Sequence, residues 1–231
     1  MLNGSRAFRL ETSKAAQLLL LRRLGIETPR TVLFDRSRAV LELARDFPFP
    51  AIVKPDCGGS GAHVHRVLDR DHLAALFEEG FLERGPDGLW LLQEELSPPD
   101  GAVVRTELIG GELVYAMRVR ATNTFNLCPA EGCSRPPADA EGAPPRVEFE
   151  PYPDLPAEAL EESRRVARAA GLDAGGVEFV ELAGGRRVTS DINATSVYRE
   201  DVAGAFGADP LETLVTFLER ELRGTRARRV G

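Results

Sequence analysis

Two glycine turns lie between runs of alternating apolar residues, and they constrain the fold of this chain more than any other feature. The first turn, Gly110-Gly111, joins strands predicted at residues 102–109 and 112–120. The second turn, at residues 183–185, joins strands predicted at residues 176–182 and 187–193. Turns this short connect neighbouring strands only when the strands run antiparallel. Helical patterns alternate with these hairpins, for example at residues 11–24 and 156–170. The sequence therefore predicts an α+β fold with mixed or antiparallel sheets, and it argues against a parallel doubly wound sheet.

The composition is that of an ordinary globular protein. The chain has 231 residues, of which 43% are hydrophobic and 28% are charged, and its net charge is −7. This length suffices for one domain with two lobes or for two small domains. No apolar run approaches the about 20 residues that a membrane helix needs, and the acidic balance argues against a nucleic-acid partner. Three cysteines are too few for a disulfide framework, so a cytoplasmic protein with no membrane partner is expected.

A cluster of Ser, Pro, Asp and Gly at residues 97–101 is the clearest break between the predicted elements. It divides the chain into a smaller part, residues 31–96, and a larger part, residues 97–231. The residues before them, 1–30, carry a helical pattern that we expect to pack on the larger part. The sequence thus predicts two lobes and a helical segment.

Lysine is almost absent from this chain. Only Lys14 and Lys54 are lysines among the 29 basic side chains, and the others are arginines. Such a chain has replaced lysine by arginine wherever the exchange was tolerated. A remaining lysine is therefore expected where a planar guanidinium cannot replace a compact ammonium group. The alternative is that the two lysines survived by chance.

A strand and a glycine-rich turn around Lys54 suit the binding of an anion. Residues 50–55 form a short apolar run fenced by prolines, and Lys54 stands near its end. The turn that follows contains Gly58, Gly59, Ser60 and Gly61. Its backbone N–H groups can face phosphate oxygens, while the ammonium group adds a point charge. The segment lacks the ending of a Walker loop, and the alternative interpretation is a plain hairpin turn.

The last predicted hairpin carries three oxygen-bearing side chains. Asp191 and Asn193 lie two residues apart and therefore share a face of their strand, and Glu178 lies in the strand that pairs with it. Carboxylate and amide oxygens without a nearby His or Cys favour Mg²⁺, which keeps waters and takes further ligands from phosphates. The alternative is a solvated sheet face.

Two further groups of polar residues are candidates for contact with a phosphorylated ligand. Arg118 and Arg120 share a face of a predicted strand, and paired guanidinium groups suit phosphoryl or carboxylate oxygens. For them the alternative is a set of salt bridges on the outside of a sheet. A polar segment at the predicted lobe junction offers backbone groups to an adenine edge, and it consists of Gln93, Glu94, Glu95 and Leu96.

Together and in this order, these motifs resemble the ATP-grasp superfamily, in its RimK-like branch of alpha-L-glutamate ligases. Residues 52–55 resemble the VVKP strand of the family, and residues 58–61 resemble its phosphate-covering loop. Residues 93–96 resemble the QEYI hinge around adenine, and Lys14 falls in the opening helix, where this branch carries its first nucleotide lysine. Both lysines of the chain thus stand at family lysine positions.

The second half of the chain carries the rest of the resemblance. The hairpin at residues 102–120 resembles the one that brings arginine to the phosphates, so Arg118 or Arg120 would face the γ-phosphate and act in catalysis. Residues 176–178 and 191–194 resemble the GVD and EVNA metal strands. The two carboxylates have exchanged length, which conserves their charge.

The resemblance implies an ATP-grasp fold, in which two α+β lobes close on ATP. It also implies ADP-forming ligation of a small carboxylate, such as the amino acid glutamate, to an amine acceptor through an acyl phosphate. Lys14 and Lys54 would neutralise the α- and β-phosphates. Mg²⁺, with Mn²⁺ as an alternative, would be held by Glu178, Asp191 and Asn193.

The chain also departs from the family pattern. Val103 stands where the family has an acidic ribose contact, only Asn126 matches where a basic residue is expected, and residues 195–198 replace a Pro-Gly. The family normally has a further domain before the opening helix, and three alternatives stay open: it is missing from a fragment, lost, or supplied by another protein. The absent domain and the lost ribose carboxylate favour one alternative, a non-catalytic nucleotide-binding module or pseudoenzyme that works with a partner protein. A second alternative, compatible with ligase activity, is a subunit or tailoring module that acts on a peptide or protein partner through residues 121–146 and the basic tail.

Overall fold

The computed structural model describes residues 2–35, 39–59, 61–80, 87–122 and 146–230, and the side chains up to Gly224. The predictions on Ser60 and Asn126 lie outside these residues. The helices are α1 (Ser5–Glu11), α2 (Lys14–Arg23), α3 (Val40–Leu43), α4 (Arg70–Glu78), α5 (Ala157–Ala170), α6 (Glu200–Gly204) and α7 (Pro210–Val230). The strands are β1 (Thr31–Phe34), β2 (Ala51–Pro55), β3 (His65–Val67), β4 (Trp90–Glu94), β5 (Ala102–Ile109), β6 (Glu112–Thr122), β7 (Arg146–Pro151), β8 (Ala174–Glu181) and β9 (Arg187–Asn193).

The first sheet has four strands in the order β1-β4-β2-β3, and all of its pairs are antiparallel. Alternate residues of β2 are buried, so Val53 enters the core while Lys54 points away from it. Trp90 of β4 and Leu73 of α4 are fully buried in the same core. Helices α3 and α4 therefore cover one face of this sheet and leave its other face available.

The second sheet has five strands in the order β7-β6-β5-β8-β9, again all antiparallel. Helices α1, α2 and α5 pack on one of its faces, where Leu21, Val166 and Val177 are buried together. Helices α6 and α7 cover part of the opposite face, where Phe217 packs near Tyr115. The uncovered part of this second face is where the polar residues of β5, β8 and β9 lie.

The α+β class with antiparallel sheets is confirmed. The predicted opening helix is two helices that meet at Thr12, and Ser13 begins the second one because its side chain accepts a hydrogen bond from the Ala16 N–H. Strand β7 (Arg146–Pro151) has no counterpart among the strands that the sequence predicts. Gly171 ends α5 in the left-handed conformation that glycine adopts readily. Within the described residues, no helix is long and apolar enough to cross a membrane.

Candidate active site

A cavity of about 560 Å³ lies between the two sheets. It brings together side chains and glycines that are far apart in the sequence and that the sequence analysis selected. These residues are Lys14, Lys54, Gly58, Gly59, Gly61, Gln93, Glu94, Glu95, Leu96, Glu178, Asp191 and Asn193. The cavity wall also contains apolar residues such as Ile52, Val103 and Val180, so one part of the space is apolar and the other is highly charged.

Lys14 reaches the cavity because α2 is fixed against β9. The buried Gln17 side chain donates a hydrogen bond to the Ile192 carbonyl and accepts one from the Ile192 N–H, both at 2.9 Å. One turn earlier, Lys14 Nζ lies 3.0 Å from Asp191 Oδ2. Burial opposes the charge of Lys14, but attraction to Asp191, with smaller contributions from Glu178 and Glu11, raises the pKa of its ammonium group. The sequence analysis had not selected Gln17, although it is one of the few glutamines.

Lys54 is the least neutralised charge of the cavity. Its ammonium group donates no hydrogen bond to a described residue, and its side chain points from β2 into the space between the sheets. Burial lowers the pKa of Lys54 to about 8, and the nearby charge of Lys14 acts in the same direction. A buried cation without a partner is unfavourable. The site is therefore electrostatically suited to an anion.

The hairpin of β8 and β9 places the predicted metal ligands side by side. Glu178 lies directly opposite Asp191, and a β-bulge next to this pair leaves Ser190 as an extra residue in β9. Asn193 Nδ2 donates to Glu178 Oε1 over 3.2 Å. Burial raises the pKa of Glu178, against the attraction of Arg105. Burial also disfavours the Asp191 carboxylate, but Lys14 and Lys54 hold its pKa below the usual range.

This donor set fits a hard divalent cation. The described residues contain no group of three His, Cys, Asp or Glu side chains that could hold a metal ion by themselves. The hairpin instead offers two carboxylates and one amide. Glu178 Oε2 and Asn193 Oδ1 accept no hydrogen bond from a described residue, which leaves both oxygens available to a ligand. Mg²⁺ is commonly bound by one or two carboxylates together with waters and substrate phosphates. Glu178, Asp191 and Asn193 are therefore able to hold it.

Arg105 of β5 is a cavity residue that the sequence analysis did not select. Its Nε lies 2.6 Å from Glu107 Oε1, its Nη1 lies 2.9 Å from Glu178 Oε1, and the side chain is only 7% exposed. Burial opposes its charge, but Glu107 and Glu178 raise the pKa of the guanidinium group above its ordinary value. The group lies over Gly176, where a Cβ atom would stand 2.9 Å from Nε. The sequence does contain a signal for this residue, because an arginine and a glutamate lie two residues apart in an otherwise apolar strand.

Arg118 and Arg120, predicted as catalytic residues, are not among the residues that line this cavity. The register of β5 and β6 pairs Arg118 with Val104, so Arg118 projects from the face opposite to that of Arg105. Arg118 Nη2 lies 2.7 Å from Glu181 Oε2, and Arg120 Nη1 lies 2.6 Å from a Glu150 oxygen. The geometry matches the alternative of salt bridges outside the sheet. Among the arginines that the structure describes, Arg105 is the one that lines the cavity.

The predicted hinge segment borders the cavity with its side chains held by the protein. Gln93 Nε2 donates to Thr31 Oγ1 over 3.1 Å. Glu94 accepts a hydrogen bond from the Arg30 N–H at 2.7 Å, and Glu95 accepts one from Arg66 at 2.7 Å. These contacts fix the segment at the edge of the first sheet, next to Ile52 and Leu96.

Comparison with known proteins shows what this arrangement is similar to. No protein-family model matches the chain. It is 30% identical over 228 residues to a probable alpha-L-glutamate ligase of Xanthomonas axonopodis pv. citri (strain 306), and the match covers 96% of this chain and 69% of that protein. A RimK domain ATP-grasp protein of Sphaerobacter thermophilus superposes with a TM-score of 0.67 at 21% identity, over 91% of this chain and 69% of that one.

A third similar structure contains ligands. The ATP-grasp ligase PsnB, complexed with a phosphomimetic variant of a minimal precursor, Mg and ADP, superposes with a TM-score of 0.67 at 22% identity. This match covers 93% of our chain but 61% of the PsnB chain. The fold and the cavity between its two sheets therefore define an ATP-grasp protein. The chain belongs to the RimK-like, alpha-L-glutamate ligase family, whose members are ATP-dependent carbon–nitrogen ligases.

Proposed function

We propose that this chain binds ATP between its sheets and uses it to join a carboxylate to an amine, with release of ADP and phosphate. The observation that carries the proposal is the convergence of Lys14, Lys54 and Arg105 with Glu178 and Asp191 in one cavity. Phosphoryl transfer needs positioning and neutralisation of charge more than covalent help from the protein. This cavity offers fixed cations for phosphate oxygens and acidic oxygens for a metal ion.

The phosphates of ATP would lie beneath the glycine-rich turn. The ammonium group of Lys54 would gain an anionic partner, and Lys14 would share its charge between Asp191 and a phosphate oxygen. Gly58, Gly59 and Gly61 line the same part of the cavity, where a backbone without side chains can approach phosphates closely. The adenine would lie against residues 93–96, next to the apolar wall.

Glu178, Asp191 and Asn193 would hold Mg²⁺, or Mn²⁺ in its place, for the reasons of donor chemistry given above. When bound, the ion neutralises the charge of the phosphate oxygens and orients them. The chain's own contribution is to keep these three oxygens on one face of a rigid hairpin. We assign residues 31–96 to the smaller lobe and residues 97–231, with the helical segment 1–30, to the larger one.

Two steps complete the reaction. A carboxylate oxygen attacks the γ-phosphorus, the bond to the β-phosphate oxygen breaks, and ADP leaves. The amine then attacks the carbonyl carbon of the acyl phosphate, loses a proton, and phosphate leaves with the bonding electrons. The guanidinium group of Arg105, which lines the cavity beside Glu178, would stabilise the negative charge that develops on the tetrahedral oxygen. Closure of the glycine-rich turn would exclude water and protect the acyl phosphate from hydrolysis.

The substrates are proposed from the relatives. The names of the alpha-L-glutamate ligases support a small carboxylate such as glutamate. The PsnB complex with a precursor supports an alternative in which a peptide or protein partner supplies one of the two groups. We place the reaction in the cytoplasm, since it consumes ATP and since the chain has only three cysteines.

The test is a coupled assay of ADP release with a panel of amino acids and amine-bearing peptides. The wild-type protein is expected to release ADP in equal amount to the amide formed. Asp191→Asn should lower the rate by about 100-fold or more. The matched control is Asp201→Asn, because Asp201 lies on α6 and pairs with Arg199 outside the cavity. ATP binding without ADP release for any substrate pair would instead identify a non-catalytic nucleotide-binding module.

A further inference from the structure

Asp56 follows β2 directly. Its main-chain N–H, its carbonyl and one oxygen of its carboxylate all form hydrogen bonds. Its Oδ1 accepts a hydrogen bond from the Ala15 N–H at 2.7 Å, and its carbonyl accepts one from the Lys14 N–H at 3.2 Å. Its own N–H donates to the Leu89 carbonyl over 3.0 Å. The residue is only 5% exposed. Asp56 thus joins the end of β2 to the first turn of α2.

A cap from so far away is not needed for α2 to form. Ser13 already provides the local cap, because its Oγ accepts a hydrogen bond from the Ala16 N–H at 3.1 Å. Asp56 is 41 positions away from Ala15 and belongs to the segment of the first sheet. Helix α2, in contrast, packs on the second sheet through Leu21. The Asp56 hydrogen bonds therefore connect the two halves of the cavity wall.

We propose that Asp56 is a positioning residue that fixes the two lysines of the cavity relative to each other. It stands two positions after Lys54 and binds the backbone of Lys14, so it has a short connection to both. Lys14 continues the connection, since its side chain contacts Asp191 on the far sheet. A series of direct contacts thus leads from the beginning of the glycine-rich turn to the acidic hairpin.

The electrostatics of the site agree with this geometry. The charge of Lys14 contributes to the lowered pKa of Lys54, which requires that the two ammonium groups stay close to each other despite their repulsion. The attraction of Asp191 and Glu178 acts on both lysines, and at Lys54 it opposes the repulsion by Lys14. Without the Asp56 carboxylate, β2 and α2 would keep only the main-chain hydrogen bond between them, and the repulsion would push the two lysines apart. The two ammonium groups would then no longer be held at the spacing at which both can contact the phosphates.

The consequence for ATP rests on the proposed function, and its test compares Asp56→Ala with the matched control Ser13→Ala. Each variant removes one side-chain cap from the same helical turn, but only Asp56→Ala removes a hydrogen bond that joins the two sheets, leaving the main-chain contact to the Lys14 N–H. By calorimetry, Asp56→Ala should weaken ATP binding by about tenfold or more, and Ser13→Ala by less than about twofold. Equal losses in the two variants would show that Asp56 only caps the helix. Should Asp56→Ala fail to fold, Asp56→Ser, which lacks the reach to Ala15, replaces it in the same comparison.

A second readout does not depend on ATP. The chain has two lysines, so labelling with [13C]-lysine gives two side-chain signals, whose titration can be followed by NMR. In Asp56→Ala the pKa of Lys54 should rise toward its ordinary value, whereas in Ser13→Ala it should stay as in the wild type. An unchanged Lys54 titration in Asp56→Ala would overturn the inference. If the titration shifts but the wild type never binds ATP, the proposed function fails and the positioning role of Asp56 stands.

The variant Asp56→Asn separates position from charge. Asparagine keeps an oxygen in the place of Oδ1, so it can still accept the hydrogen bond from Ala15. We expect ATP affinity within about threefold of the wild type and an unchanged Lys54 titration. A loss as large as that of Asp56→Ala would contradict the positioning role and point to the negative charge itself.

Discussion

Lys14 Nζ and Asp191 Oδ2 lie 3.0 Å apart, although 177 positions of sequence separate the two residues. The contact joins the first residue of α2 to the acidic end of β9 and closes one wall of the cavity. Because both side chains are largely buried, this ion pair is less screened by water and salt than a surface pair. Lys54, by contrast, forms no ion pair of this kind with another residue that the structure describes, and the first three predictions concern Lys54.

Lys54→Met should weaken ATP binding by about 30-fold or more, because the phosphates lose a buried cation that donates no hydrogen bond to another described group. The same substitution should raise the melting temperature, since it removes the cost of burying an unpaired charge. Calorimetry and thermal unfolding measure the two effects. Arg70→Met at the start of α4 is the control, because Arg70 pairs with Glu42, is about half exposed and does not line the cavity. Unchanged ATP affinity in Lys54→Met would remove this lysine from the site.

The pH dependence of folding follows from the same residue. Lys54 has a pKa of about 8 in the folded protein, below the ordinary value of 10.5 that applies to the unfolded chain. Between these two pH values the unfolded chain binds more protons than the folded one. The contribution of Lys54 to the free energy of unfolding should therefore rise as the pH increases from about 8 to about 10.5 and stay constant below about 8. Denaturant unfolding at several pH values, compared with Lys54→Met, isolates this contribution.

ATP affinity should have the opposite pH dependence. Only the protonated form of Lys54 attracts phosphate, so affinity should fall by up to about tenfold per pH unit above about pH 8. Titration calorimetry in buffers of different ionisation enthalpy should detect proton uptake on binding near pH 8.5. In Lys54→Met this decline and the proton uptake should both be absent. Their persistence in that variant would assign the titration to another group.

The arginines can be separated by their kinetics. Arg105→Lys keeps a charge beside Glu107 and Glu178 but loses the planar contacts, so kcat should fall by about 100-fold while ATP affinity changes little. Arg118→Ala and Arg120→Ala should change kcat by less than about threefold, because both side chains form salt bridges outside the cavity. A large loss in either of these two variants, with a normal rate in Arg105→Lys, would reverse the assignment.

Gly176 gives an independent test of the position of Arg105. In Gly176→Ala the new methyl group would stand 2.9 Å from Arg105 Nε, so the guanidinium group must move. We expect a lower melting temperature and a lower kcat. Gly204→Ala is the matched control, since it lies at the end of α6 and its methyl group would have no atom within 4 Å. This control should leave the rate unchanged and should not lower the melting temperature.

The sequence predicted those parts of the structure that leave a local pattern. Alternation and glycine turns indicated the hairpins, and the scarcity of lysine selected Lys14 and Lys54 before any geometry was known. The choice between Arg105 and Arg118 depends on which face of β5 and β6 meets the cavity, and a strand sequence that is apolar on both faces does not contain this information. Asp56 was missed because its partner, the Ala15 N–H, is a backbone group that no side-chain motif reveals.

The bulge that makes Ser190 an extra residue of β9 has a consequence for engineering. A bulge bends its strand locally, and the side chains of Asp191 and of Glu178 opposite to it both line the cavity next to this bend. Transplanting the two acids and the asparagine onto a regular hairpin of another protein would reproduce the residue types but not the orientation of their side chains. A faithful graft has to carry the insertion along with the side chains.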